Sequence, residues 1–222
     1  MHDGHRERLR KQFVEHGLET FNDITTLELL LFFSIPRRDT NEIAHRLLEH
    51  FGSLSAVFSA SFEELKAVEG VGYSSALLIR FIYQLIKKIE LSKTANIVTI
   101  KSSKDAGNYF IPRFINEPDE ILLMLCLDSS KNIISCTEIA RGTVNAVNVN
   151  VRRVAQIALQ NRAASVILSH NHPRGRPIPS IEDEHLTKQI YKTLSSISIR
   201  LEDHVIVSDK MYVSMANEGF LF

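Results

Sequence analysis

The chain has 222 residues, with 26 Lys/Arg against 26 Asp/Glu, so its formal charge at neutral pH is zero. That length allows one large domain or two small ones with a real core. The balance excludes the basic excess that accompanies tight phosphate binding, since residues 1–92 carry 11 Lys/Arg and 13 Asp/Glu. The two cysteines, Cys126 and Cys136, form no C-x-x-C pair and suggest no disulfide framework. The charged N-terminal segment lacks the apolar stretch of a secretory signal, and apolar runs such as 29–33 are far too short to span a bilayer. No membrane association and a cytoplasmic location are the expectations.

In chain order, the first ninety or so residues read as wholly helical. Leu27, Leu30 and Leu31, then Ile43, Leu47 and Leu48, recur at helical spacing. Breaks fall at 51–53 and 59–61, and Ser61 with Glu64 fits a capping box. An amphipathic helix is predicted over 76–90, and the polar stretch 91–96 reads as a linker. The texture then changes. Residues 120–128 and 132–139 are strand-like and joined by a hairpin at 129–131. A helix at 150–160, a buried strand at 165–169 and a helix at 181–194 follow. A last hairpin, 204–207 with 211–215, turns around 208–210. The fold class is α+β: a helical domain over 1–92, then a mixed sheet covered by helices over 98–222.

Within the second half, His170 and His172 stand two residues apart, a spacing that points both imidazoles to one side of an extended backbone. Asp183 follows a Pro/Gly-rich link, at the start of a predicted helix. Two neutral nitrogens and one carboxylate leave a fourth position open, as in a catalytic zinc site. Each residue also has a plainer reading: the histidines as ordinary loop residues, and Ser180-x-x-Asp183 as a helix cap. Cap and ligand are compatible, because a carboxylate in the first helical turn stays ionised. Pro173, Gly175, Pro177 and Pro179 stiffen the link and favour the metal reading. A base for the attacking water is sought upstream, and Glu138 in the apolar run 133–139 is the candidate; its plainer reading is a solvated strand-end glutamate. His204 reads either as a partner of a ligand or as a hydrogen-bonded core histidine, and Cys136 as a small buried hydrophobe.

His170-x-His172-Pro173-x-Gly175, then Ser180-x-x-Asp183, with Glu138 upstream, resembles the JAMM (MPN-type) metalloprotease signature. The stretches 170–173, 179–180, 141–143 and 203–206, with 5–9, 51–54 and 68–72 in the helical half, resemble the bacterial RadC family across nearly the whole chain. The resemblance implies a cytidine-deaminase-like α/β/α core and one zinc ion held by His170, His172 and Asp183. It further implies Glu138 as general base, Ser180 as donor to the tetrahedral oxyanion, and a peptide or protein substrate cleaved at a peptide or isopeptide bond. Two departures stand out: 150–153 reads Asn-Val-Arg-Arg where RadC-like chains tend to carry His-Pro-Arg-Glu, and position 174 is Arg instead of a small residue. Zinc deamination is set aside, because residue 172 is His where that chemistry needs Glu.

Residues 65–76 resemble a helix-hairpin-helix, in which glycines let backbone N–H groups approach a phosphate. The resemblance points to DNA contact, and to the alternative that the protein acts in repair or recombination as a DNA-binding protein. The charge balance, and the lack of Lys or Arg at 73–75, point instead to helix packing or a protein partner.

Overall fold

The computed structural model describes residues 2–142, 149–173 and 175–220. Thr143, at the end of the Arg-Gly-Thr stretch, and Arg174 lie outside the described residues. The chain divides into two compact units, 1–86 and 87–222. Among the described residues no helix is long and apolar enough to cross a membrane.

The first unit is built from α1 (His2–His16), α2 (Asp23–Leu31), α3 (Asn41–Phe51), α4 (Leu54–Ser59), α5 (Phe62–Ala67) and the first part of α6 (Tyr73–Lys93). Leu27, Leu31 and Leu47 are completely buried and Ile43 nearly so, as their period predicts. They pack with Val57, Leu65 and Ile79 into one core. Arg6 is buried too; its guanidinium donates to the carbonyls of Ile35 and Pro36 at 2.7 Å and of Arg38 at 2.5 Å, fixing the α2–α3 connection. The predicted capping box forms: Glu64 N–H donates to Ser61 Oγ at 3.2 Å and Ser61 N–H to Glu64 Oε2 at 2.7 Å. Between α5 and α6, Gly70 has φ +92°, which strains any other residue, and an added Cβ would crowd Ile43. The helix α6 runs on to Lys93, through part of the stretch read as a linker.

In the second unit, α7 (Ser103–Phe114) precedes β1 (Ile121–Leu127) and β2 (Ile133–Arg141). Then come α8 (Val151–Gln160), β3 (Ser165–Asn171), α9 (Ile181–Ser195), β4 (Arg200–Ser208) and β5 (Met211–Ser214). The strands form one sheet in the order β2-β1-β3-β4-β5, parallel between β3 and β4 and antiparallel elsewhere. Helices α8 and α9 cover one face, packing Val154, Leu186 and Ile190 on Leu122, Met124 and Leu168. Helix α7 covers the other, packing Phe110 and Phe114 on Leu123, Leu125 and Ile167. Covered on both sides, β1 and β3 are buried along their whole length, which is why β1 reads as a continuous apolar run.

Helix α7 is the element that the sequence reading omits. It contains Gly107 and Pro112, which lower helix propensity. Packing overrides that preference: a Cβ on Gly107 would collide with the Tyr212 ring, so the glycine is what lets α7 lie against β5.

A candidate metal centre at the end of β3

His170 and Asn171 are the last residues of β3, and His172 N–H continues the pairing to β4 by donating to the Val207 carbonyl at 2.8 Å. The chain is therefore still extended at His172, and the two imidazoles meet, with Nε2 to Nε2 at 3.0 Å. The link back to α9 is tied down where His172 Nδ1 meets the Arg176 carbonyl at 2.9 Å and Ser208 Oγ donates to the Gly175 carbonyl at 2.7 Å. Ser180 caps α9 and Asp183 is its third residue. Asp183 N–H donates to Ser180 Oγ at 3.1 Å, and Ser180 N–H returns to Asp183 Oδ2 at 2.8 Å. The cap turns the carboxylate onto the histidines: Oδ1 lies 3.1 Å from His170 Nε2 and Oδ2 3.6 Å from His172 Nε2.

These three residues form a group able to hold a metal ion. With metal–ligand distances of about 2.0–2.1 Å, two ligands of a tetrahedral zinc stand about 3.3 Å apart. The observed separations of 3.0, 3.1 and 3.6 Å bracket that value. The donor chemistry fits as well. His172 gives its Nδ1 hydrogen to a carbonyl, which leaves the Nε2 lone pair facing inward. His170 and Asp183 are buried, while the His172 side chain is 19% exposed, so the centre opens on the His172 side.

Burial disfavours the ionised form of Asp183, but the hydrogen bonds of His170 and His172, the charge of His170 and the Ser180 hydroxyl outweigh it and hold the carboxyl far below the usual range. The hydrogen bond with Asp183 raises the proton affinity of His172 against its burial, helped by the Arg176 carbonyl and by the charges of Asp183 and Glu120.

The structure does not bring Glu138 to this cluster. Its backbone pairs with Leu123, on the face covered by α7, whereas His170 pairs with Leu122, on the face covered by α9. A bulge causes the difference, because the register shifts between Leu122 and Leu123 and sets Ile139 and Ala140 on one face. The carboxylate of Glu138 is 42% exposed and accepts from Arg141 at 2.8 and 3.1 Å, so it does not lie in the apolar surroundings expected of it. Ser180 is adjacent to the centre, but its hydroxyl donates to Asp183 Oδ2 at 2.6 Å. Cys136 is partly buried against the α7 core, and burial raises its thiol pKa.

Glu120, which precedes β1, belongs to none of the sequence motifs. The Asn171 amide bridges the strands here, accepting from Ile121 N–H at 2.8 Å and donating to the Asp119 carbonyl at 2.9 Å. Continuing the β1–β3 register one rung beyond Ile121 sets Glu120 beside His172, on the face of the ligands. One signal was available: Glu120 is the acid that opens a strand of seven apolar residues.

A three-layered α/β/α unit, with two histidines at a strand end and an aspartate in the following helix, defines a metal-site domain of the JAB kind. The RadC-like JAB domain matches residues 100–220, and the chain belongs to that family. A UPF0758 protein of Clostridium acetobutylicum is 33% identical over 215 residues, covering 97% of this chain and 94% of its own. One from Fusobacterium nucleatum is 36% identical over 225 residues, covering 98% and 97%.

Proposed function

We propose that the protein is a zinc metallohydrolase of the JAMM type that cleaves a peptide or isopeptide bond. The observation that carries this reading is the convergence of His170, His172 and Asp183 at distances suited to one ion. When bound, zinc supplies Lewis acidity, polarising the carbonyl and making water acidic near neutral pH. The chain's own residues do the rest. His170, His172 and Asp183 hold the ion, and the cap at Ser180 keeps the Asp183 carboxylate aimed and ionised. Glu120 is the base that takes the proton of the attacking water and returns it to the leaving amine. Its place beside His172 and on the ligands' face favours it over Glu138, which is on the other face and paired with Arg141.

Cleavage of a peptide library by the zinc-loaded chain tests the assignment. Glu120→Gln should keep zinc and lose about 10²- to 10⁴-fold in rate, the usual worth of a general base. Glu138→Gln should lose much less. If the Glu138 variant is the inactive one and the Glu120 variant cleaves normally, the base is Glu138. A chain that neither binds zinc nor cleaves any peptide defeats the whole reading.

A further inference from the structure

His204 lies on β4, outside the ligand set and completely buried, yet both its ring nitrogens are engaged. Nε2 stands 2.8 Å from Nδ1 of His170, and Nδ1 stands 2.6 Å from Oγ1 of Thr187, a buried residue of α9. The direction of this chain is set at its far end. Thr187 Oγ1 is 2.5 Å from the backbone carbonyl of Asp183, and a carbonyl only accepts. The hydroxyl hydrogen therefore points at Asp183, and Thr187 meets His204 as an acceptor. His204 must donate from Nδ1.

A neutral imidazole with its hydrogen on Nδ1 has its lone pair on Nε2, so His204 accepts from His170 Nδ1. A neutral His170 then has a bare Nε2 facing Asp183 and His172, the only form in which it can ligate a metal through that atom; the hydrogen that it gives Asp183 in the metal-free chain leaves when the ion binds. A charged His204 would reverse the order. Among the described residues its ring bonds only an imidazole and a hydroxyl, with no carboxylate on either nitrogen to offset the cost of a buried charge. The chain also closes on itself. It starts at the backbone of one ligand, Asp183 on α9, crosses β4, and ends on the ring of another, His170 on β3.

We infer that His204 and Thr187 are positioning residues that fix the tautomer and the aim of His170 for the metal ion. The inference rests on the metal-centre reading and adds two residues to it.

The test is zinc affinity of the full chain at neutral pH, by competition with a chromophoric chelator, with thermal unfolding of the zinc-free proteins as a check on folding. Loss of the outer partner of a ligating histidine costs about 10- to 100-fold in metal affinity, so His204→Leu and Thr187→Val should fall in that range. His204→Gln, whose Oε1 accepts where Nε2 did, should stay close to the native chain. In the zinc-loaded protein, ring ¹⁵N shifts should place the His204 hydrogen on Nδ1, a readout that a merely space-filling role would not fix. Unchanged affinity in Thr187→Val, or the His204 hydrogen on Nε2, overturns the proposal even if His204→Leu does not fold. His172→Ala separates this proposal from the reading beneath it. If the native chain binds zinc no more tightly than His172→Ala, the metal centre itself fails and the positioning role falls with it. If only His172→Ala loses zinc, the centre stands and the positioning role falls alone.

Discussion

Two carboxylate clusters lie in the second unit, and they are compensated in opposite ways. Around Glu117 three acids share two cations: Lys87 and Arg141 both hold Glu117, and Arg141 also reaches Asp119 at 3.6 Å and Glu138 at 2.8 Å. At the end of β3, Asp183 is deeply buried and, among the described residues, no lysine or arginine bridges it; it has two imidazoles and a hydroxyl. The first cluster finds its cations within the chain. The second gathers ligand atoms at a single point, and on the proposed function a divalent ion completes it. Acidic residues close together thus mean little until their counter-charges are counted.

Removing the ion should separate the clusters most sharply. His172→Ala should abolish high-affinity zinc binding while leaving the ion pairs of Glu117 intact, as metal analysis after dialysis would show. Chelation of the native chain should lower its stability by about 2.7 kcal/mol relative to free zinc at 100 times the dissociation constant. An Arg141→Ala chain should lose the same amount on chelation; a smaller loss would couple the clusters.

Acid should strip both, at different pH. In the zinc-free chain the pKa of His172 is raised above 6.5, so zinc must displace a proton there, and affinity should begin to fall at a pH above the ordinary imidazole range. For Glu117, burial opposes the charge, but the hydrogen bonds from Lys87 and Arg141 outweigh it and lower the pKa from 4.5. Its contribution to stability is therefore present above that value and lost as pH falls through the lower folded one. Urea unfolding of Glu117→Gln across the acid range should show a flatter dependence than the native chain. Ser180→Ala should cost about 1 kcal/mol for the lost cap and weaken zinc binding as Asp183 loses its guide. Rate loss with zinc affinity unchanged would instead make Ser180 the oxyanion donor. The smallest effect is expected for Arg141→Ala, about 1 kcal/mol or less for so exposed a group, read by the same urea titration.

The cluster of His170, His172 and Asp183 was legible in the sequence because each part is set locally. A strand end fixes His170 and His172, and a capping box fixes Asp183. The helical period of Leu27, Leu31, Ile43 and Leu47 was legible for the same reason. Glu120 was not, since its nearness to His172 arises from pairing between β1 and β3, some fifty residues apart. Glu138 stands in the apolar run 133–139, but its place opposite Leu123, its exposure and its pairing with Arg141 depend on the β1–β2 register and its bulge, which the sequence does not show. Helix α7 escaped because Gly107 looks like a breaker until Tyr212 is set against it.

Asn171 has a consequence for how the protein tolerates motion. It sits between the two histidines in sequence, and its amide grips the backbone on both sides of Glu120. Thermal breathing of the sheet that slides β1 along β3 must break that grip first. Carboxylate and imidazoles therefore ride on a common chassis, and their spacing is kept by one planar group with no charge of its own.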